Sequence, residues 1–397
     1  MYRETKFVFF SFICFTVISY LYTLFTGTYN GDFLGRVSQL SQWELFLNFL
    51  YTIIPFFILY LIHRHYKHRE DKHKIKIPTK NFGQFLFVLI VFKIFVTYLF
   101  GVGIMGREIY QAPRFITPFI QISNRFVAIY GVIIYGVVVE KQKKMVVFLW
   151  TLVFILSFLR GSLGVFVYFA FYLIIRYYDY IVYFFKKKVF LILMIILLSP
   201  IVVTKLYNIR DQIRAVNTGD VTLSRTTSFS EVIFGRLAGR LSSFPNSAII
   251  MEKKEIIRPM AQKYFSSFQF SKETLLAFYG VFDRDDLTYM SIILESFGYS
   301  TRLWSLMTGT QGSLLIGYYT SYLAFAANLL TILIVIILTF RISCLFNNNK
   351  IKDVIFMFFC FAVMSGVAFE YMIILLNILL YSLFFLITRF FAKLKKL

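Results

Sequence analysis

The chain has 397 residues, of which 58% are hydrophobic and 20% aromatic, and it carries a formal net charge of +22. So many long apolar runs exclude a soluble globular domain and predict an all-α polytopic membrane protein. The positive charge does not point to nucleic acid, because the basic residues flank apolar runs instead of forming a basic domain of their own; beside membrane spans they set orientation and meet anionic lipid.

In chain order, hydrophobic patterning predicts about ten transmembrane helices. They cover roughly 7–25, 43–62, 82–100, 116–138, 145–159, 162–175, 189–204, 313–340, 354–369 and 371–388. The first run follows Arg3 and Lys6 and has no small-x-small cleavage site, so it is expected to stay as an anchor. Cys14, Cys344 and Cys360 sit in or beside apolar runs, which predicts no disulfide framework. Alternate connections are rich in Lys and Arg: 64–80, 141–144, 176–188, 341–352 and 389–396. The other short connections hold only Arg36, then Arg107 and Arg114, then Arg160. This asymmetry places both termini in the cytoplasm and the long hydrophilic stretch 205–312 outside it, within a single membrane domain spanning 1–397.

That stretch has structure of its own. Phe229, Val232, Ile233, Leu237 and Phe244 recur at helical spacing, so a helix is expected over 229–244, ended by Pro245. A second helix is expected after Asp283, Asp285 or Asp286, with Leu287, Met290, Leu294 and Phe297 as its apolar stripe and Gly298 as its stop. These pieces are expected to lie as amphipathic helices on the membrane surface, over a cavity between spans.

The candidate functional residues are mostly arginines. Arg236 and Arg240 fall four apart on the apolar face of the 229–244 helix, where they can clamp a diphosphate through two-point pairing or snorkel to the interface. Arg160 sits in Ser157-Phe158-Leu159-Arg160-Gly161-Ser162, a tight turn between two apolar runs; it is either a ligand or a head-group anchor. Arg125 and Lys93 lie inside predicted spans, where charge is costly and faces a wet or paired interior; Glu370 is a candidate partner for Arg125. Arg210 and Arg214 form another pair four apart, with Asp211 beside them as a possible solvated ion cluster.

Two patterns are dismissed. Gly101, Gly103 and Gly106 match a dinucleotide-binding spacing but follow a membrane span without strand–helix context. His63, His65, His68 and His73 are the only histidines, expected together on one basic cytoplasmic loop that repels metal cations. Neither metal nor cofactor is expected. With no histidine outside, a general base there must be a carboxylate.

Taken together, the Phe158-Leu159-Arg160-Gly161-Ser162 turn, the arginine-bearing segment Gly235-Arg236-Leu237 to Gly239-Arg240-Leu241-Ser242, and the tail Tyr299-Ser300-Thr301 to Gly309-Thr310-Gln311-Gly312 before Gly317-Tyr318-Tyr319 resemble the Wzy-type family of O-antigen and capsular repeat-unit polymerases. The turn reads Arg-Gly-Ser, a departure in order from the family's Gly/Ser-Arg. The resemblance implies a metal-independent, inverting glycosyltransferase of the bacterial inner membrane that takes part in lipopolysaccharide or capsule biosynthesis. A growing glycan on undecaprenyl diphosphate would be the donor and a lipid-linked repeat unit the acceptor. Arg236, Arg240, Arg160, Arg125, Arg210 and Arg214 would meet the diphosphate, and Tyr264, Phe265, Phe268, Tyr289 and Trp304 would stack on sugars or anchor at the interface. Membrane lipid and a chain-length regulator protein are the implied partners. A flippase for lipid-linked oligosaccharide and an O-antigen ligase share much of this pattern.

Overall fold

The computed structural model describes residues 3–69, 75, 77–104, 112–139, 143–188, 201–213, 215, 241–279, 287–298, 307–346 and 348–394. Among them the elements are helices: α1 (Arg3–Thr26), α2 (Gln42–Lys67), α3 (Thr79–Phe100), α4 (Thr117–Arg125), α5 (Ala128–Val138), α6 (Lys143–Leu159), α7 (Gly164–Lys187), α8 (Phe244–Glu252), α9 (Lys254–Tyr264), α10 (Gln269–Tyr279), α11 (Ile292–Glu295), α12 (Gly309–Thr320), α13 (Tyr322–Ser343), α14 (Lys350–Ser365) and α15 (Ala368–Leu394). Residues 201–213 are also helical. Among the described residues, α1, α2, α3, α7, α13 and α15 are each long and apolar enough to cross a membrane, and α4 with α5 forms a seventh candidate bent by 48°.

The faces of these helices are sorted in the sense a membrane requires. Helix α1 turns Thr5, Thr16, Ser19 and Thr23 inward and leaves Phe10, Ile18, Leu21 and Phe25 exposed. Helix α2 buries Asn48, Thr52, His63 and Lys67 while Ile54, Phe57, Ile58 and Leu61 face out. Helix α13 buries Asn328, Thr339 and Ser343 and exposes Leu330, Ile334, Ile337 and Leu338. Apolar outside and polar inside is the arrangement hydrocarbon selects, since small and hydroxylated residues let helices approach and bond across.

Helix α14 sits at the centre. Every residue from Ile351 to Ser365 is buried, as expected of a helix that is apolar on all sides. It packs against α1, α2, α5, α7, α12, α13 and α15. At one end of the bundle Asp353 accepts from Thr5 Oγ1 at 2.7 Å, lies 3.1 Å from His63 Nε2 and pairs with Lys67, tying α1 and α2 to α14. At the other end Gly366 closes α14 with φ +68°, where an added Cβ would overlap the Gly309 carbonyl. Only glycine permits that backbone approach.

Several expected spans are redrawn. The run 313–340 is two helices, α12 and α13, separated at an extended Ser321 whose hydroxyl accepts from Ala324 N at 3.0 Å and caps α13. The run 116–138 breaks at Phe126–Val127. The run 162–175 continues to Lys187, with a kink at Tyr177. His63 and His65 belong to α2, which runs on to Lys67, and not to a loop. Of the run 189–204, only 201–204 falls within the described residues.

The stretch 205–312 also differs from expectation. Pro245 opens α8, in a first turn where a missing N–H costs nothing, and does not end a helix. Helix α8 is inserted: 241–250 are all buried, with Asn48 Nδ2 donating to the Phe244 carbonyl at 3.0 Å and Ser247 Oγ to Asn48 Oδ1 at 2.7 Å. Helix α9 is the amphipathic piece, burying Ile257 and Ala261 and exposing Lys254, Glu255 and Arg258. Between 287 and 298 the only helix is the four-residue α11; Gly298, with φ +74°, ends the turns that follow it. Residues 216–240, which include the expected arginine-bearing helix up to Arg240, and Asp283, Asp285 and Asp286 lie outside the described residues.

Candidate functional site

Lys93 and Arg160 come together where α3 ends beside the α6–α7 turn. On α3 the buried positions Phe82, Leu86, Leu89, Ile90, Lys93, Val96 and Thr97 follow helical spacing, so the inward stripe carries Lys93 with it at 3% exposure. The helix stops at Gly101, whose φ is +70° and whose N–H bonds the Thr97 carbonyl at 2.9 Å, an αL cap. Arg160 is held by a Schellman motif at the end of α6: Ser162 N donates to Ser157 O at 2.9 Å and Gly161 N to Phe158 O at 3.0 Å, with Gly161 at φ +67°.

From this turn the Arg160 side chain reaches α3, where Nε donates to Thr97 Oγ1 at 3.3 Å; Thr97 in turn donates to the Val102 carbonyl at 2.9 Å. Gly103 lies against the guanidinium. A Cβ there would stand 3.1 Å from Arg160 Cζ, and the φ of +77° is itself a glycine conformation. The glycine spacing at 101 and 103 therefore serves a helix stop and an arginine cradle, not a nucleotide.

Lys93 lies one turn from Thr97 and within electrostatic reach of Arg160. Burial draws the Arg160 guanidinium below its ordinary pKa, and it remains a cation. Among the described residues neither cation makes an ion pair with a carboxylate. A membrane interior that holds two cations this way is complementary to an anion supplied from elsewhere.

The other expected residues are distributed as follows. Arg125 ends α4 at the break before α5, and its carbonyl accepts from Asn377 Nδ2 at 3.2 Å. Glu370 does not pair with it; the carboxylate accepts from Ser365 Oγ at 2.6 Å. Arg210 pairs with Asp211 at 2.6 Å and lies over the Tyr207 ring at 4.4 Å, both side chains being largely shielded from solvent. Arg214, Arg236 and Arg240 lie outside the described residues. Of the aromatic residues, Tyr264 and Phe268 are exposed, whereas Phe265 and Tyr289 pack on each other in the core, 4.7 Å apart; Trp304 lies outside the described residues.

Three buried polar contacts escape the sequence. Nothing in the sequence singles out the buried Asp353 until α2 is seen beside it. Asn377 reads as a stray amide on an apolar helix. Glu370 of α15 lies within electrostatic reach of Tyr130 and Tyr168, from α5 and α7, which no sequence spacing connects. The chain was compared with protein-family models, with curated proteins and with solved structures, and none of them matches it.

Proposed function

We propose that this chain polymerises lipid-linked oligosaccharide repeat units, transferring a glycan from a polyprenyl diphosphate donor to a lipid-linked acceptor with inversion at the anomeric carbon. The observation that carries this reading is the pair Lys93, buried, and Arg160, partly buried, neither of which makes an ion pair with a carboxylate among the described residues, at one end of a polar-lined helical bundle. Fixed cations at such a position offset the charge that builds on a departing diphosphate, with no reorganisation at the moment of reaction. In this reading the Lys67–Asp353 end, next to the lysine-rich connections, is cytoplasmic, and the Arg160 end and the stretch 205–312 face out of the cytoplasm. The bundle then sits in a bacterial inner membrane with about ten crossings. In this reading Arg125 adds to the cationic surface offered to the diphosphate, and Arg236 and Arg240, outside the described residues, stay candidates on their sequence spacing.

A second reading, export of lipid-linked oligosaccharide, draws on the discontinuous pairs α4–α5 and α12–α13, since transporters place binding sites at broken helices. Deletion of the gene separates the two. A polymerase loss leaves single repeat units on surface glycolipid, and a flippase loss leaves lipid-linked units facing the cytoplasm. Arg160→Ala and Lys93→Met should each cut long-chain product by about 10- to 100-fold, the worth of one charge-assisted bond, at unchanged protein level. Normal ladders on gels from both variants would remove the basis for the site.

A further inference from the structure

Helix α4 stands between the membrane side of α3 and the cation pair. It buries Ile120 and Ser123. Ile120 packs with Val96 and Val102, and Phe92, Phe100, Ala112 and Ile116 close around them; among the described residues this cluster is separate from the main core. One flank of α4 and of the turn before it exposes Phe115, Phe119 and Ile122, and the other flank exposes Gln121 and Asn124. A helix with one apolar and one polar exposed flank borders two different media.

The same division runs along α3. Successive helical residues turn by about 100°, so Lys93 and Thr97 lie about 60° and about 100° to one side of Val96. The exposed Val88, Phe95 and Leu99 lie to the other side. The stripe that meets α4, formed by Phe92, Val96 and Phe100, runs between them. On the far side α6 packs along α3, with the Phe87 and Phe148 rings 5.8 Å apart. Helix α4 is therefore the wall between the lipid-facing surface and the cations. The depth suits a lipid head group. Helix α3 starts at the Asp353 end of the bundle, where Ile75 N donates to the Leu345 carbonyl at 2.7 Å. From Thr79 to Thr97 the helix rises about 27 Å, close to the roughly 30 Å of a hydrocarbon core. Tyr98, next to Thr97, is 75% exposed, as in an aromatic belt at the head groups.

The bonds that hold α4 lie at its C-terminal end. There the axis bends by 48°, Asn377 Nδ2 donates to the Arg125 carbonyl and Val127 N donates to Asn377 Oδ1. The Val96–Ile120 contact parts without breaking either of them. That contact also reaches the cations. The Val102 carbonyl accepts from Thr97 Oγ1 at 2.9 Å, and Thr97 Oγ1 accepts from Arg160 Nε at 3.3 Å, so Ile120 clamps the backbone that holds the arginine in place. We infer that α4 is a lateral gate, which parts from α3 to admit the head group of a diphosphate-bearing lipid from the leaflet to Lys93 and Arg160. This rests on the reading of that pair as a lipid-diphosphate site. The isoprenoid chain stays outside, along the exposed Phe95, Leu99, Phe119 and Ile122, while the head group passes to the flank that carries Gln121 and Asn124. Release of Val102 frees the Arg160 guanidinium to turn toward the arriving phosphate.

The test uses full-length Cys14→Ser protein carrying Val96→Cys and Ile120→Cys in lipid nanodiscs, with undecaprenyl diphosphate as the probe and native mass spectrometry as the readout. Reduced, this protein should take up the lipid at the rate of the Cys14→Ser parent. Joined by a disulfide, it should do so at least about tenfold more slowly, because association that needs a conformational change fails when the change is blocked, and reductant should restore the rate. Unchanged uptake by the cross-linked protein overturns the gate. Inorganic diphosphate, offered from water, should bind both forms alike; its exclusion by the cross-link would make α4 a cover against water and overturn the lateral route. If the two thiols do not join, spin labels on Leu99→Cys and Phe119→Cys replace them. The distance between α3 and α4 should lengthen on saturation with the lipid, and an unchanged distribution overturns the gate. Wild-type protein that binds no lipid, or Arg160→Ala protein that binds it as tightly as wild type, overturns the site itself, which separates that failure from a failure of the gate.

Discussion

Glu273 shows what a single residue can report about this fold. It is 7% exposed on α10, outside the spanning segments, with Gln269 Nε2 at 3.1 Å and Tyr289 N at 3.4 Å. Burial outweighs these donors and pushes its carboxyl up to about 7. A carboxyl raised in the folded state holds its proton after the unfolded chain has released one, so folding is favoured most below the unfolded value. That advantage is lost as pH rises through about 7. Thermal unfolding in detergent should therefore show a lower midpoint at pH 8 than at pH 5. Glu273→Gln should flatten the difference and gain on the order of 3 kcal/mol at pH 8; an unchanged pH slope would mean that the group is solvated. Gly103 makes the complementary point about Arg160, since only a residue without Cβ lets the guanidinium lie against that backbone.

The break between α4 and α5 shows how an interrupted helix survives in this bundle. Hydrocarbon offers no partner for freed backbone groups, so another helix must supply one. Asn377 of α15 does so on both sides: its Oδ1 accepts from Val127 N at 2.8 Å and its Nδ2 donates to the Arg125 carbonyl at 3.2 Å. Tyr381 Oη adds a bond to the Val127 carbonyl at 3.2 Å. Asn377→Leu should cost about 1–3 kcal/mol and speed amide exchange at Val127; unchanged exchange there would show that water repairs the break. The sequence marks α4 and α5 only as one apolar run, because the residue that permits the break is about 250 positions away. The α12–α13 break was more accessible. A run of 28 residues is long for one crossing, and Ser321 supplies the cap, but the extended backbone at that serine depends on packing.

Across the molecule, α14 is the axis and Asp353 its anchor. Thr5, His63 and Lys67 converge on one buried carboxylate, while Lys352 Nζ turns aside to the Arg69 carbonyl at 2.5 Å and Asn349 Oδ1 at 3.2 Å. Asp353→Ala leaves Lys67 buried without its acceptor and should destabilise the protein by about 3–5 kcal/mol, read as a fall in the thermal midpoint. Asp353→Leu combined with Lys67→Met should recover most of that loss, because an apolar pair of similar size carries no desolvation cost. A combined variant as unstable as Asp353→Ala would assign the loss to the shape of the site.

The sequence by itself determined the class of molecule, since runs of apolar residues long enough to cross a bilayer have no other stable environment. It also marked Lys93, Arg125 and Arg160 as costly charges needing an explanation, because ionic hydration is lost wherever those runs are buried. It could not decide which charges meet. Arg160 finds Thr97, Glu370 finds Ser365 in place of Arg125, and His63 and Lys67 find Asp353, across separations of 63, 5, 290 and 286 residues. Most of those pairings are made between helices, and the low dielectric that makes each one matter exists only once the helices have packed.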